Sequence, residues 1–301
     1  MNESAPGLTE MLGHWALDLP WLAALGLAAA LYGRAWVQAL RPGAVHPRWK
    51  AACFFAGLAL VGVATVSPLE HYGNRLLWVN FTGFLLLTML AAPLLLLGSP
   101  LTLAFRAAGP RGRAWLRRFY QRRPMRSLTF PITSWLLFAV VTYLWQFSAF
   151  TDRAAANVFL RDLQQSTLLG ASLLFWMPAL CADPQRWRMA FPLRALYVFL
   201  EMTHKGLFGG MFLSMSDPIH PRFAANLPAW GPEAMTDQRM AILVLWIGGN
   251  IIFLVALVGI AAAWIRYEGR ATARTDRRLA LARAAAVSKR AALDAVFGKP
   301  L

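Results

Sequence analysis

Long apolar runs recur seven times along this chain, at residues 19–35, 51–66, 77–97, 132–150, 163–180, 196–215 and 241–265. A helix needs about 20 such residues to cross a bilayer, and only a helix or a closed barrel satisfies its backbone there. The second run is short and draws on its flanks. No soluble domain of useful size fits between the runs. The expected fold class is therefore all-α: a polytopic membrane protein with about seven transmembrane helices in one bundle. That bundle occupies 19–265, after an N-terminal segment 1–18 and before a basic tail 266–301.

Charge gives the expected orientation, because cytoplasmic loops collect Lys and Arg. The chain carries 30 Lys and Arg against 14 Asp and Glu. With the N-terminus outside, the inner side receives Arg34, Arg41, Arg48 and Lys50, then eight arginines from Arg106 to Arg126, then Arg186, Arg188 and Arg194, and finally the tail from Arg266 to Lys299. The outer side holds only Arg75, Arg153, Arg161, Arg222 and Arg239. A net charge of +16 would suggest a nucleic-acid partner in a soluble protein, but here it follows topology, and no nucleic-acid partner is expected. The thirteen Trp and nineteen Phe suit the bilayer interfaces. The N-terminus has no basic region before an apolar run, so no cleavable signal peptide is expected and the first helix serves as the signal. Cys53 and Cys181 form no CxxC and no disulfide framework.

Two features lie outside the simple span pattern. Trp115, Leu116, Phe119 and Tyr120 recur at helical spacing among Arg113, Arg117, Arg118 and Arg122. They read as a short amphipathic helix on anionic lipid, or as charge that merely holds the loop inside. The tail from Ala271 to Val296 is Ala- and Arg-rich and expected to be helical, either as an extension of the last span or as a docking element.

The sixth run holds the chemistry-bearing residues. Glu201 and Lys205 are four apart, so they share a face and can pair within the span. Intramembrane charge is costly, at about 2.5–3.5 kcal/mol on insertion scales, and points to an ion or proton pathway, a ligand site or a structural pair. Gly206 and Gly210 offer a small-residue face for a neighbouring helix. His204, Met211 and Met215 share a face whose soft donors suit Cu(I), or plain packing. His71 and His220 fall on the outer side, outside any HxH, HxxxH or CxxC pair. No nucleophile elbow, phosphate loop, dinucleotide fingerprint or HExxH occurs, so no enzyme is expected.

Four stretches resemble one family: WALDLPWLAALGLAAALYGRAW near the start, AAPLLLLGSPLTL in the third run, LLGASLLFWMPAL in the fifth and MTDQRMAILVLWIGG leading into the seventh. Together they resemble the CtaG family of cytochrome c oxidase assembly factors of the caa3 type, over about residues 14–267. The resemblance implies a non-enzymatic assembly factor of the bacterial cytoplasmic (inner) membrane. Cytochrome oxidase subunits and membrane lipids would be its partners and copper its implied cofactor. It also implies paired histidines at the outer ends of two helices, at positions held here by Asn80 and Phe84 and by Arg161 and Gln165. A family turn of PLYP type reads DPIHP here, so His220 replaces a tyrosine. Three readings stand: a scaffold for a haem–copper oxidase that holds no copper, a copper-delivery protein using His71, His204, Met211, Met215 and His220, or a membrane role built on Glu201 and Lys205. The last would be ion or small-solute transport, with a structural respiratory-complex subunit as a further alternative.

Overall fold

A computed structural model describes residues 7–15, 18–39 and 46–298. Arg41 and Lys299, counted above among the inner charges, lie outside the described residues. Every described apolar run is helical, and no strand occurs among the described residues. A short α1 (Leu8–Gly13) precedes α2 (Leu19–Ala39), α3 (Arg48–Val66) and the six-residue α4 (Pro68–Gly73). The third apolar run is α5 (Leu77–Leu85), a π-helical turn at Leu86–Ala91 and α6 (Ala92–Leu97). Then come α7 (Pro100–Ala107), the basic α8 (Pro110–Gln121) and α9 (Arg123–Leu128). The second half holds α10 (Pro131–Gln146), α11 (Ala149–Ala156), α12 (Val158–Leu180), α13 (Phe191–Leu213) and α14 (Pro221–Ala225). It ends with α15 (Ala234–Leu243), a second π turn at Val244–Gly248 and the 49-residue α16 (Gly249–Phe297).

Among the described residues, three helices are long and apolar enough to cross a membrane: Arg48–Val66, the 31-residue Leu77–Ala107 and the 56-residue Ala234–Lys289. The pair α10 and α11 makes a fourth if counted as one span. The α2, α12 and α13 helices have 21, 23 and 23 residues, and the last two carry charges inside their length: Arg161 and Asp162, and Arg194, Glu201 and Lys205. Large apolar side chains lie exposed on the bundle exterior, among them Leu27, Leu31, Val140, Leu207, Ile251, Val255 and Val258. Such a surface calls for a covering of lipid or protein.

The expected single helix over 132–150 is broken, with α10 and α11 bent by 66°. Ser148 supplies the reason. Its hydroxyl accepts from the Phe150 amide (3.1 Å) and donates back to the Leu144 carbonyl, ending one helix while capping the next. The π turn at Leu86–Ala91 lies directly before Pro93, whose ring and missing N–H disturb a regular ladder. The Thr88 carbonyl in that turn accepts from the indole N–H of the buried Trp176 (3.0 Å). The tail continues the last helix without a break.

Two close approaches set the core. A Cβ on Gly57 would stand 2.9 Å from both the Leu95 amide nitrogen and its Cγ, so α3 lies backbone to backbone on α6. Gly98, at the end of α6, fits the same way against the Phe54 Cβ (2.6 Å). Next to it, Ser99 adopts a left-handed φ of 51°, a conformation that costs a non-glycine residue and needs support. The support is dense. Lys50 donates to the Ser99 hydroxyl (2.7 Å), which donates to the Ala182 carbonyl (3.1 Å), and Tyr32 donates to the Gly98 carbonyl (2.9 Å). Asp183 caps α7, accepting from the Leu101 and Thr102 amides (3.2 and 2.8 Å) and the Thr102 hydroxyl (2.6 Å). The GSPLT segment is thus a corner that ties α2, α3, α7 and the end of α12 together. At the opposite end Asp237 of α15 accepts from the Leu77 and Trp78 amides (2.8 and 3.1 Å), capping α5.

Candidate functional site

Among the described residues, two small cavities in the bundle are lined by polar side chains, and Phe84 borders both. The first lies where α4, the start of α5 and the start of α12 meet, and has a volume of about 40 Å³. Asn80, Phe84, Arg161 and Gln165, the four positions at which the resemblance implies histidines, all line it. The four share one cavity, and none of them is a histidine. Arg161 Nη1 lies 2.8 Å from Glu70 Oε1, and the Asn74 amide donates to the same oxygen (2.9 Å). The Asn80 amide donates to the Gly73 carbonyl (3.2 Å). Burial pushes the Glu70 carboxyl above its ordinary pKa, with Arg161 and then Asn74 acting in the opposite sense. Gln146, fully buried, lines this cavity with a side chain that has no hydrogen-bond partner among the described residues. Two amides, a phenyl ring and a guanidinium do not fit a Cu(I) site, which wants thiolate, thioether or imidazole donors. The guanidinium would also repel the cation.

The second cavity, about 30 Å³, lies deeper and is lined by Thr142, Tyr143, Glu201, His204, Lys205 and Trp246, among others. Glu201 is fully buried. Lys205 Nζ lies 3.9 Å from Glu201 Oε1, and His204 Nδ1 lies 3.6 Å from Oε2. Neither carboxylate oxygen has a hydrogen-bond partner among the described residues. The ammonium of Lys205 faces the rings of Phe138, Phe253 and Phe84 at 4.7, 5.4 and 5.6 Å from their centroids. Cation–π attraction of this kind offsets part of the cost of burying the charge. The shared face expected for Glu201 and Lys205 is therefore present, at ion-pair distance.

The five residues considered for metal occupy different surroundings. His71 on α4 stacks on His14 (centroids 4.5 Å, planes 7° apart), and burial, then His14 and Arg75, holds its pKa below the usual value. His204 sits in the deeper cavity between Trp135 and Tyr143. His220, 2% exposed, places Nε2 3.0 Å from the Gln146 carbonyl and Nδ1 3.8 Å from Asp152. A carbonyl only accepts, so Nε2 carries the proton. Burial lowers the pKa of His220, while Asp152 and the Gln146 carbonyl act in the opposite sense. Met211 and Met215 are exposed, at 46% and 37%. Among the described residues no group of three or more His, Cys, Asp or Glu is placed to hold a metal ion. Of the expected glycine pair, a Cβ on Gly206 would stand 3.5 Å from the Trp246 indole nitrogen, but one on Gly210 would meet nothing within 4 Å. A Cβ on Gly209 would come closer to that ring (3.2 Å).

The Glu70–Arg161 pair, 91 positions apart, carried no local signal. Arg161 stood out in the sequence only as a charge at a resemblance position. Asp183 and Asp237 counted merely as acids, although each caps a helix from a distant segment.

Comparison with known proteins agrees with the residues. The sequence model of the cytochrome c oxidase caa3 assembly factors matches residues 30–267. Uncharacterized proteins of Mycobacterium bovis and Mycobacterium tuberculosis are each 25% identical over 282 residues, covering 90% of this chain and 42% of their own length. One of Mycobacterium leprae is 24% identical over 285 residues, with the same coverage. The chain thus spans less than half the length of these curated relatives. No solved structure matches it. On the match over most of its length, the chain belongs to the family of cytochrome c oxidase caa3 assembly factors.

Proposed function

We propose that this chain assists assembly of a haem–copper cytochrome oxidase as a scaffold in the bacterial inner membrane, without carrying copper itself. In this reading it crosses the membrane seven times, with its N-terminus outside and its tail in the cytoplasm, and performs no catalysis. Oxidase subunits are its partners. Family membership supports the oxidase connection. The observation that carries the scaffold role is the outer cavity, where an Arg161–Glu70 ion pair stands at the implied metal position. Deleting the gene and assaying oxidase activity, with and without added copper, tests the proposal. Activity should fall and stay low when copper is supplied. Full activity in both conditions would end the oxidase reading, whereas rescue by copper would return the role to metal delivery.

A second reading, ion or small-solute transport, has one specific observation in its favour. Glu201 is fully buried beside Lys205, and Phe84 lines both its cavity and the one that holds Arg161. Flux across proteoliposomes that is lost in Glu201→Gln would favour transport. Equal leakage with and without the protein would remove it.

A further inference from the structure

We propose that the groove between α7, α8 and the segment after α12 is a binding site for the phosphate headgroup of an anionic phospholipid. The groove is open, about 890 Å³ in volume, and four arginines line it from three separate parts of the chain: Arg106 on α7, Arg113 and Arg117 on α8, and Arg186 beyond α12. Tyr120 and Trp187 form aromatic walls. Convergence from three segments distinguishes this groove from a loop that is merely basic.

No Asp or Glu occurs between Glu70 and Asp152. Asp183, next to the groove-lining Pro184, is committed to three donors at the start of α7. Among the described residues no carboxylate pairs with Arg113, Arg117 or Arg186. Arginine is suited to phosphate oxygens because its planar fork presents two parallel donors. The ring of Trp187 is held in place: its indole N–H donates to the Arg126 carbonyl (3.2 Å), and the Arg126 and Arg186 guanidinium groups lie 5.8 and 5.9 Å from its centroid. A rigid indole beside a cluster of guanidiniums matches the depth at which glycerol and phosphate meet acyl chains. On α8, Trp115 is 61% exposed and stacks on Phe119, giving an apolar edge for the same lipid surface.

Native mass spectrometry of the full chain in detergent, titrated with phosphatidylglycerol, phosphatidylcholine or inorganic phosphate, tests the site. Phosphatidylglycerol should bind more tightly than phosphatidylcholine, and inorganic phosphate at the same concentration should not displace it. In the variant Arg113→Gln/Arg117→Gln the affinity should drop about tenfold to thirtyfold, from two charges each contributing about fivefold. The tail variant Arg277→Gln/Arg278→Gln, which removes the same charge from exposed positions, should change it by less than about twofold. If the α8 pair fails to fold, Arg186→Gln on its separate segment reads the same site, with an expected loss of about fivefold. Equal binding of phosphatidylcholine, an equal loss in the tail variant, or displacement by inorganic phosphate would each overturn the proposal.

Discussion

Arg161 and Glu70 show how one contact redefines a cavity. The carboxylate is almost fully buried and takes its charge compensation from a guanidinium that is itself 18% exposed. Removing the cation alone, as Arg161→Ala, leaves a buried charge unpaired and should cost about 2–3 kcal/mol, somewhat less than a fully buried pair because water reaches Arg161. The double variant Glu70→Gln/Arg161→Ala should recover much of that loss in thermal or denaturant melts; equal destabilisation would deny the pair its role. Imidazoles supply a second test. His71 and His220 are both held below the ordinary value of 6.5, chiefly by burial. Below that value the unfolded chain binds more protons than the folded one, so stability rises with pH and is lost as pH falls from about 6.5. Melting temperature should therefore drop on the acid side, and His71→Gln should make the slope shallower. Neither effect was legible in the sequence, because each depends on residues brought together from distant segments.

Helices were far more legible than their interruptions. The apolar runs gave every long helix, since length and hydropathy are local properties. The break after Gln146 and the π turn before Pro93 depend on what a serine hydroxyl and a missing amide do in three dimensions. The same holds for the α3–α6 contact. Gly57 sits in an ordinary apolar run, yet its α-hydrogen faces the Leu95 backbone. Gly57→Ala should destabilise the protein by about 1–3 kcal/mol, because backbone cannot move aside as a flexible side chain can. Gly210→Ala, in open space, should be close to neutral. The two substitutions, compared by thermal melts, separate helix approach from helix composition.

For the whole molecule, the resemblance reached the family, and the residues lining the Asn80–Arg161 cavity bear on which of the roles drawn from it this chain plays. Purified protein should hold well under one copper per chain, since Arg161 occupies the implied ligand position; a stoichiometric copper would mean that other residues supply the ligands. Orientation has its own measurement. With Cys53 and Cys181 replaced by alanine, Asp217→Cys should react with an impermeant maleimide in intact cells, while Ser288→Cys should react only after lysis. The reverse pattern would invert the topology. At about 1.5 Å per residue the 49 residues of α16 reach about 74 Å, far beyond a hydrocarbon layer of about 30 Å. The last apolar run and the tail as far as Phe297 are one continuous helix. A tilt of about 10° at the level of the second π turn would sweep its far tip sideways by roughly 13 Å, so a partner gripping the tail would feel the packing around Trp246 as leverage.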